Sequence, residues 1–241
     1  MEGAPDLTVI VPAYNEERRI GPTLVALEDF LRARGETYEV LVVDDGSRDA
    51  TASLVAEFAN AHPAFALVRL PANRGKGAAV REGLARSRGR RVLFTDADLS
   101  TPLDELDAMD RALADGADVI IASRALRESR LEIRQAWYRE QMGKAFNRFV
   151  RLLTGIPFRD TQCGFKLLRG EDARALAAEM REDGFSFDVE LILLARRRGL
   201  TLRDLPVRWR NDAGSRVSAL RDSSAMLVSL GRILRRTGRY R

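Results

Sequence analysis

Short apolar runs that end in acidic, glycine-rich or aromatic turns, most of them followed by residues at helical spacing, constrain this chain more than any other feature. Thr8-Val9-Ile10-Val11-Pro12, Val40-Leu41-Val42-Val43, Ala66 to Leu70, Val92-Leu93-Phe94-Thr95 and Val119 to Ala122 have the length and composition of buried strands. Leu24, Leu27 and Leu31 recur along one helix face, and Gly35 supplies the stop. Further helices are predicted from about Ala50 to Ala61 and from about Ala78 to Ser87. After the fourth strand, Thr101 is placed as an N-cap, with Pro102 at the first helical position and Asp104 at the capping-box position. This alternation predicts an α/β domain, a mainly parallel sheet flanked by helices on both faces. In 241 residues it amounts to one domain with a C-terminal extension.

The ends of the strands carry the chemistry. Tyr14, Asn15, Glu16, Asp44, Asp45, Asp96 and Asp98 all fall just past a predicted strand, and in a parallel sheet ligands bind beyond the carboxyl ends. Asp96-Ala97-Asp98 places two carboxylates where they converge on one magnesium or manganese ion, since hard divalent cations take oxygen ligands and share their shell with phosphates. Pro12 to Glu16 stands where a dinucleotide fold would show Gly-x-Gly-x-x-Gly, and the chain has no Gly-x-x-x-x-Gly-Lys-Ser/Thr loop. The net charge of +5 asks for an anionic partner, whether phosphorylated metabolite, anionic lipid surface or nucleic acid. Nucleic acid ranks below the others, because no nucleic-acid module is recognisable and aromatics are only 7%. The single cysteine, Cys163, precludes an internal disulfide and fits a reducing, cytoplasmic compartment. The single histidine, His62, has no cluster to join in a zinc site and is read as a surface or capping residue.

Taken in order, Pro12-Ala13-Tyr14-Asn15-Glu16, Asp44-Asp45-Gly46-Ser47-x-Asp49, Asn73-x-Gly75-Lys76-Gly77 and Asp96-Ala97-Asp98 resemble the family 2 glycosyltransferases with the GT-A (Rossmann-like) fold. Asp160 to Lys166, Phe187-Asp188-Val189-Glu190 and Gly214-Ser215-Arg216 extend the likeness to the hexosyltransferases that use polyprenyl or dolichyl phosphate. The resemblance implies a GT-A domain over 1–210, with a donor and metal half over about 6–125 and an acceptor half over about 126–210. Residues 211–241 would be an acceptor loop and a basic amphipathic tail.

It further implies a nucleotide sugar whose base and ribose are held by Pro12, Ala13, Tyr14, Glu16 and Asp45, with Asp44 shaping the same pocket. Gly75, Lys76, Ala97, Arg124 and Gln162 would complete the donor site, and Asp96 and Asp98 would hold the metal. Arg124 and Arg139 match family arginines that face the diphosphate or the acceptor phosphate, and Arg216 would clamp that phosphate; either of the first two reads equally as a surface salt-bridge residue. The reaction expected is inverting transfer. A phosphate acceptor is already nucleophilic at neutral pH; a sugar hydroxyl needs a base, for which Asp160 is the first candidate and Asp188 the second. Glucose from UDP-glucose is the leading expectation, because the Asp160 to Lys166 and Gly-Ser-Arg segments look closest to the glucosyl branch. Ser100 stands where the mannose synthases resembled here often carry Gln, which weakens mannosyl transfer from GDP-mannose. Transfer to a soluble hydroxyl and a non-catalytic nucleotide-sugar-binding scaffold are the other readings.

Two stretches bear on a membrane. Trp137, Phe146, Phe149, Val150 and Leu153 are interleaved with Arg134, Arg139, Lys144, Arg148 and Arg151. Met226, Leu227, Leu230, Ile233 and Leu234 stand beside Arg232, Arg235, Arg236, Arg239 and Arg241. Core packing and a helix lying on anionic lipid both produce such stripes. No run reaches the roughly 18 to 20 apolar residues that span a bilayer, so the expected contact is peripheral, on the cytoplasmic face. Oligomeric state is not legible.

Overall fold

The computed structural model describes residues 3–133, 137–210 and 219–240; the side chains of 137–140, 142, 144–146, 219–225 and 227 lie outside that description. Arg216, with Gly214 and Ser215, therefore lies outside the described residues, as does the side chain of Arg139.

The first half alternates as expected: β1 (Leu7–Ala13), α1 (Ile20–Arg34), β2 (Tyr38–Asp44), α2 (Thr51–Ala61), β3 (Phe65–Arg69), α3 (Lys76–Arg86), β4 (Arg91–Thr95), α4 (Leu106–Ala114) and β5 (Val119–Ser123). Gly35 ends α1 in the left-handed conformation (φ 67°), its N–H donating to the Arg32 carbonyl. The second half adds β6 (Arg130–Ile133), α5 (Trp137–Thr154), β7 (Phe165–Arg169), α6 (Gly170–Glu179), α7 (Phe187–Arg197), β8 (Leu202–Pro206), β9 (Arg208–Arg210) and α8 (Ala219–Thr237).

Seven strands form one sheet in the order β3-β2-β1-β4-β7-β5-β8, and β6 pairs with β9 apart from it. All sheet pairings are parallel except those of β7, which runs antiparallel between β4 and β5. Strand side chains alternate between two cores because the period of a strand is two. Val9 and Val11 join Leu24, Leu27 and Leu31 of α1 on one face, while Ile10 joins Ala79, Val80 and Leu84 of α3 on the other. Each is fully buried, which contributes about 1.5–3 kcal/mol for each valine, leucine and isoleucine.

The capping expectation at Thr101 fails. Pro102 is extended (ψ 141°), a 3₁₀ turn over Leu103–Glu105 leads into α4, and no side chain caps it. Tertiary packing takes the hydroxyl instead: Thr101 is buried with its Oγ1 3.7 Å from Cys163 Sγ. His62 does stand at the C-terminus of α2, where its ring stacks on Phe58 at 4.0 Å.

The antiparallel β7 has a consequence for the site. Its first residues arrive from the same rim at which β1, β2 and β4 end, so the Asp160 to Gly164 segment lies against the end of β4. The Asp96 N–H donates to the Gly164 carbonyl at 3.1 Å.

Candidate active site

Two turns at the ends of β1 and β2 are stitched together. Asn15 is left-handed (φ 55°), a conformation its short polar side chain tolerates. Its N–H donates to Ser47 Oγ (2.9 Å) and its Oδ1 accepts the Arg48 N–H (2.9 Å). The Glu16 N–H donates to Thr51 Oγ1 (2.7 Å), and the Glu16 carboxylate accepts two N–H groups of Arg19, each at 2.7 Å. Tyr14 stands at the lip, 36% exposed. Below it Pro12 and Ala13 pair with Val43 and Asp44, and the Ala13 carbonyl accepts the Asp45 N–H at 2.8 Å.

The paired acids after β2 divide the work. Asp44, fully buried, accepts the Ser47 N–H (3.1 Å) and lies 3.3 Å from Arg69 Nε, so it closes its own turn. Asp45 accepts Asn73 Nδ2 (3.0 Å) and the N–H groups of Arg74 (2.8 Å) and Gly75 (2.7 Å). Burial still leaves its pKa above the ordinary carboxylate value. Gly75 is required here: φ is 116° and a Cβ would collide with the Asp183 carbonyl. Lys76 then opens α3 and puts its ammonium 2.5 Å from Asp96 Oδ1. Burial opposes that charge, but the Asp96 and Asp188 carboxylates outweigh it and hold the lysine pKa up.

Asp96 and Asp98 share the rim without sharing partners. Asp98 Oδ1 accepts the Ser100 N–H (2.9 Å), and Arg19 stands 4.0 Å from its other oxygen. Burial first, and then the charge of Asp96, push the Asp98 carboxyl above its usual range. Ala97 is buried between them, its carbonyl accepting Thr23 Oγ1 at 2.6 Å. Gly164 leaves the space that Asp96 occupies, since a Cβ there would meet the carboxylate. Among the described non-glycine residues, only Asn15 and Leu99 have positive φ, and both border this cleft, where backbone strain concentrates in functional sites.

Across from that pair, the Asp160 carboxylate, in the segment leading into β7, is gripped by Arg124, which follows β5. It accepts Nε at 2.7 Å, Nη2 at 2.9 Å and the backbone N–H at 3.0 Å, and also the Gln162 N–H at 3.2 Å. Burial works against its charge, yet the Arg124 guanidinium holds it below the usual carboxylate range. Gln162 Nε2 reaches the Phe185 carbonyl at 3.5 Å. Asp188, in the first turn of α7, is buried and paired with Lys166, which also donates to the Cys163 carbonyl at 2.7 Å.

Residues 8–200 match the profile of Glycosyl transferase family 2. The chain belongs to glycosyltransferase family 2. This family 2 glycosyltransferase is 38% identical over 233 residues to the dolichyl-phosphate beta-glucosyltransferase of Drosophila melanogaster, a match covering 90% of this chain and 72% of that protein. It is 32% identical over 224 residues to the human enzyme of the same name (88% and 69%) and 31% over 242 residues to that of Saccharomyces cerevisiae (93% and 72%). Among solved structures it is similar to glucosyl-3-phosphoglycerate synthase from Mycobacterium tuberculosis in complex with Mn2+ and UDP-glucose. That likeness has a TM-score of 0.70 at 20% identity and covers 98% of this chain and 80% of that one. At that identity it establishes the GT-A fold, which the seven-stranded sheet shares.

Every donor-side residue singled out in the glycosyltransferase's sequence, from Pro12 through Asp98, falls on the one rim, and Arg124, Asp160 and Gln162 face it from β5 and β7. Sequence reading gave no role to Arg19, Ser47 and Thr51, which lock the first turn, or to Lys166, which neutralises Asp188. A charged residue inside Phe165-Lys166-Leu167-Leu168 is a signal that was there to be used. Among the described residues no three potential ligands form a ready metal cluster. The donor set nevertheless suits a hard cation: two carboxylates, one with its pKa raised by burial and by the other's charge.

Proposed function

We propose that this glycosyltransferase moves glucose from UDP-glucose to a dolichyl or related polyprenyl phosphate, inverting the anomeric centre. The observation that carries the acceptor assignment is the Asp160–Arg124 pair. A hydroxyl acceptor needs a free base, and the Asp160 oxygens are already occupied by Arg124 and the Gln162 N–H. The second candidate, Asp188, is buried against Lys166. A phosphate monoester brings its own nucleophilic oxygen and asks only for positive charge. The names of the curated relatives support the same acceptor and sugar.

In this reading Tyr14 stacks on the base, and Glu16 and Asp45 with the turns they hold shape the nucleoside pocket. Asp44 acts indirectly, by closing the turn that presents Asp45. Asp96 and Asp98 would hold Mn2+ or Mg2+, which supplies positive charge against the departing diphosphate. Lys76 and Arg124 add their own charge on the same side. Asp160 is then a positioning group, keeping the Arg124 guanidinium flat at the rim, and Asp188 acts through Lys166 on the Cys163–Gly164 backbone beside Asp96. Arg139 and Arg216 are assigned to the acceptor phosphate, 126–210 to the acceptor half and 211–241 to the acceptor loop and tail. No described helix is long and apolar enough to cross a membrane; the contact with lipid is assigned to the protein surface, on the cytoplasmic face.

The test is a donor-by-acceptor assay with UDP-glucose, UDP-galactose, UDP-N-acetylglucosamine and GDP-mannose, each with manganese, with and without a short polyprenyl phosphate. The expected result is UDP release from UDP-glucose that requires the lipid phosphate and stops with chelator. Release from GDP-mannose alone overturns the sugar. Transfer to a soluble sugar that ignores the lipid phosphate overturns the acceptor, and binding of UDP-glucose without turnover on any acceptor makes the protein a scaffold.

A further inference from the structure

The C-terminal end of α5 carries a second basic feature, apart from the rim. Val150 and Thr154 face inward and are fully buried, whereas Phe149, Leu152 and Leu153 point out, Leu152 being 68% exposed. The chain just past α8 packs beside them, Arg239 and Tyr240 donating to the Leu152 and Thr154 carbonyls. Three of the eight large exposed apolar side chains among the described residues thus stand at this one helix end. Apolar exposure gathered in one place marks an interaction surface.

Beside it, Arg148, Arg151, Leu152, Gly155, Ile156 and Pro157 line a cleft of about 320 Å3. The helix end does not use these arginines. Its last carbonyls are satisfied from elsewhere: Arg151 by the Gly155 N–H (2.9 Å), Leu152 by Arg239 Nη2 (2.8 Å) and Thr154 by the Tyr240 N–H (2.7 Å). Among the described residues no carboxylate pairs with Arg148 or Arg151. Two uncompensated guanidiniums at the mouth of an apolar-walled cleft, edged by exposed leucines, complement a phosphate joined to hydrocarbon.

We infer that this cleft seats the phosphate of an anionic bilayer lipid, with Phe149, Leu152 and Leu153 entering the interface. It deepens the peripheral membrane contact proposed above by naming the surface that makes it. Arg151 lies about 6 Å further along the helix axis than Asn147, whose Oδ1 accepts Thr161 Oγ1 at 3.4 Å, so turnover is measured beside docking.

The experiment is co-sedimentation of the full chain with vesicles of phosphatidylcholine alone or mixed with phosphatidylglycerol. The variants are Arg148→Ala/Arg151→Ala, Leu152→Ser, and the charge-matched control Arg86→Ala/Arg90→Ala. Binding is expected only with phosphatidylglycerol. The Arg148/Arg151 pair should lose about thirtyfold in partitioning, from about fivefold per basic residue near an anionic surface. Leu152→Ser should lose several-fold and the control should match wild type. Both arginines are exposed, so unchanged thermal melting is expected. Turnover of UDP-glucose with a short, water-soluble polyprenyl phosphate should also be unchanged, which separates failure of the docking site from failure of the proposed reaction. Equal loss in the control would reduce the effect to net charge and overturn the site. Undiminished vesicle binding by the double variant overturns it too, as does a dimer in light scattering that the double variant abolishes, because the face would then belong to a second copy of the chain.

Discussion

The two sides of the cleft are acidic in different ways. On the donor side Asp44, Asp45 and Asp98 each accept a backbone N–H from a residue two to thirty positions away, and most of those bonds close turns. On the β5 and β7 side Asp160 and Asp188 are held chiefly by cations, Arg124 and Lys166, brought from separate elements. On the donor side such pairing, Lys76 with Asp96 and Arg69 with Asp44, stands beside the turn-closing bonds. A carboxylate that accepts amide hydrogens shapes a loop, and its loss relaxes that loop. One that neutralises a cation in the interior leaves an uncompensated charge when its partner goes. The donor side is therefore expected to lose substrate affinity before stability, and the far side to lose stability and turnover together.

The largest effect that sharpens this contrast is at Lys166, which is fully buried. Lys166→Met should cost about 3–5 kcal/mol in urea unfolding, whereas Lys166→Met/Asp188→Leu should recover most of it, because both charges then leave together. A double variant no more stable than the single would mean that the pair is not what holds α7 to β7. Next comes Arg124→Ala. It should lower turnover about a hundredfold, and stability by about 1–3 kcal/mol as Asp160 is left buried without its partner. Melting should then fall by about 2–4 °C per kcal/mol.

On the donor side, Asp45→Asn should cost about 1–2 kcal/mol and raise KM for the nucleotide sugar several-fold while kcat stays within about twofold of wild type. If kcat fell as far as in Arg124→Ala, the distinction between the two sides would collapse. The smallest effect concerns Cys163, whose thiol burial pushes up to about 11. A thiol raised in the folded state favours folding fully at low pH, and that contribution is lost as pH rises from about 9, its ordinary value, to about 11. Stability should decline across that window in wild type and less in Cys163→Ala. A thiol reagent at neutral pH should react only as the protein unfolds.

How much of this was legible follows the same division. β1 through β5 and their helices were readable because buried strands announce themselves as apolar runs with turn residues at both ends. The Asp44–Ser47 and Asp96–Ser100 turns were readable because an aspartate accepts from an amide a few residues on. The Asp160–Arg124 pair spans 36 positions and the Lys166–Asp188 pair 22, and no local pattern tells which cation a carboxylate meets. The Thr101 cap failed for the same reason, since the hydroxyl that suits a cap also suits the Cys163 thiol that packing brings to it. The described part of the α5 stripe divided: Val150 went inward and Phe149 and Leu153 outward, a split that depends on where α8 lies.

By itself, then, the sequence determined a parallel α/β sheet, the rim on which its acids would gather, and the family whose motifs they spell, because period, turn chemistry and strand polarity are local properties. Only the tertiary structure decided that β7 turns back beside β4, and with it that Gly164 meets Asp96, that Arg124 holds Asp160 and that Lys166 is buried against Asp188. Strand order and ion pairing are settled by burial and desolvation summed over the whole chain, and no short stretch of residues carries that sum.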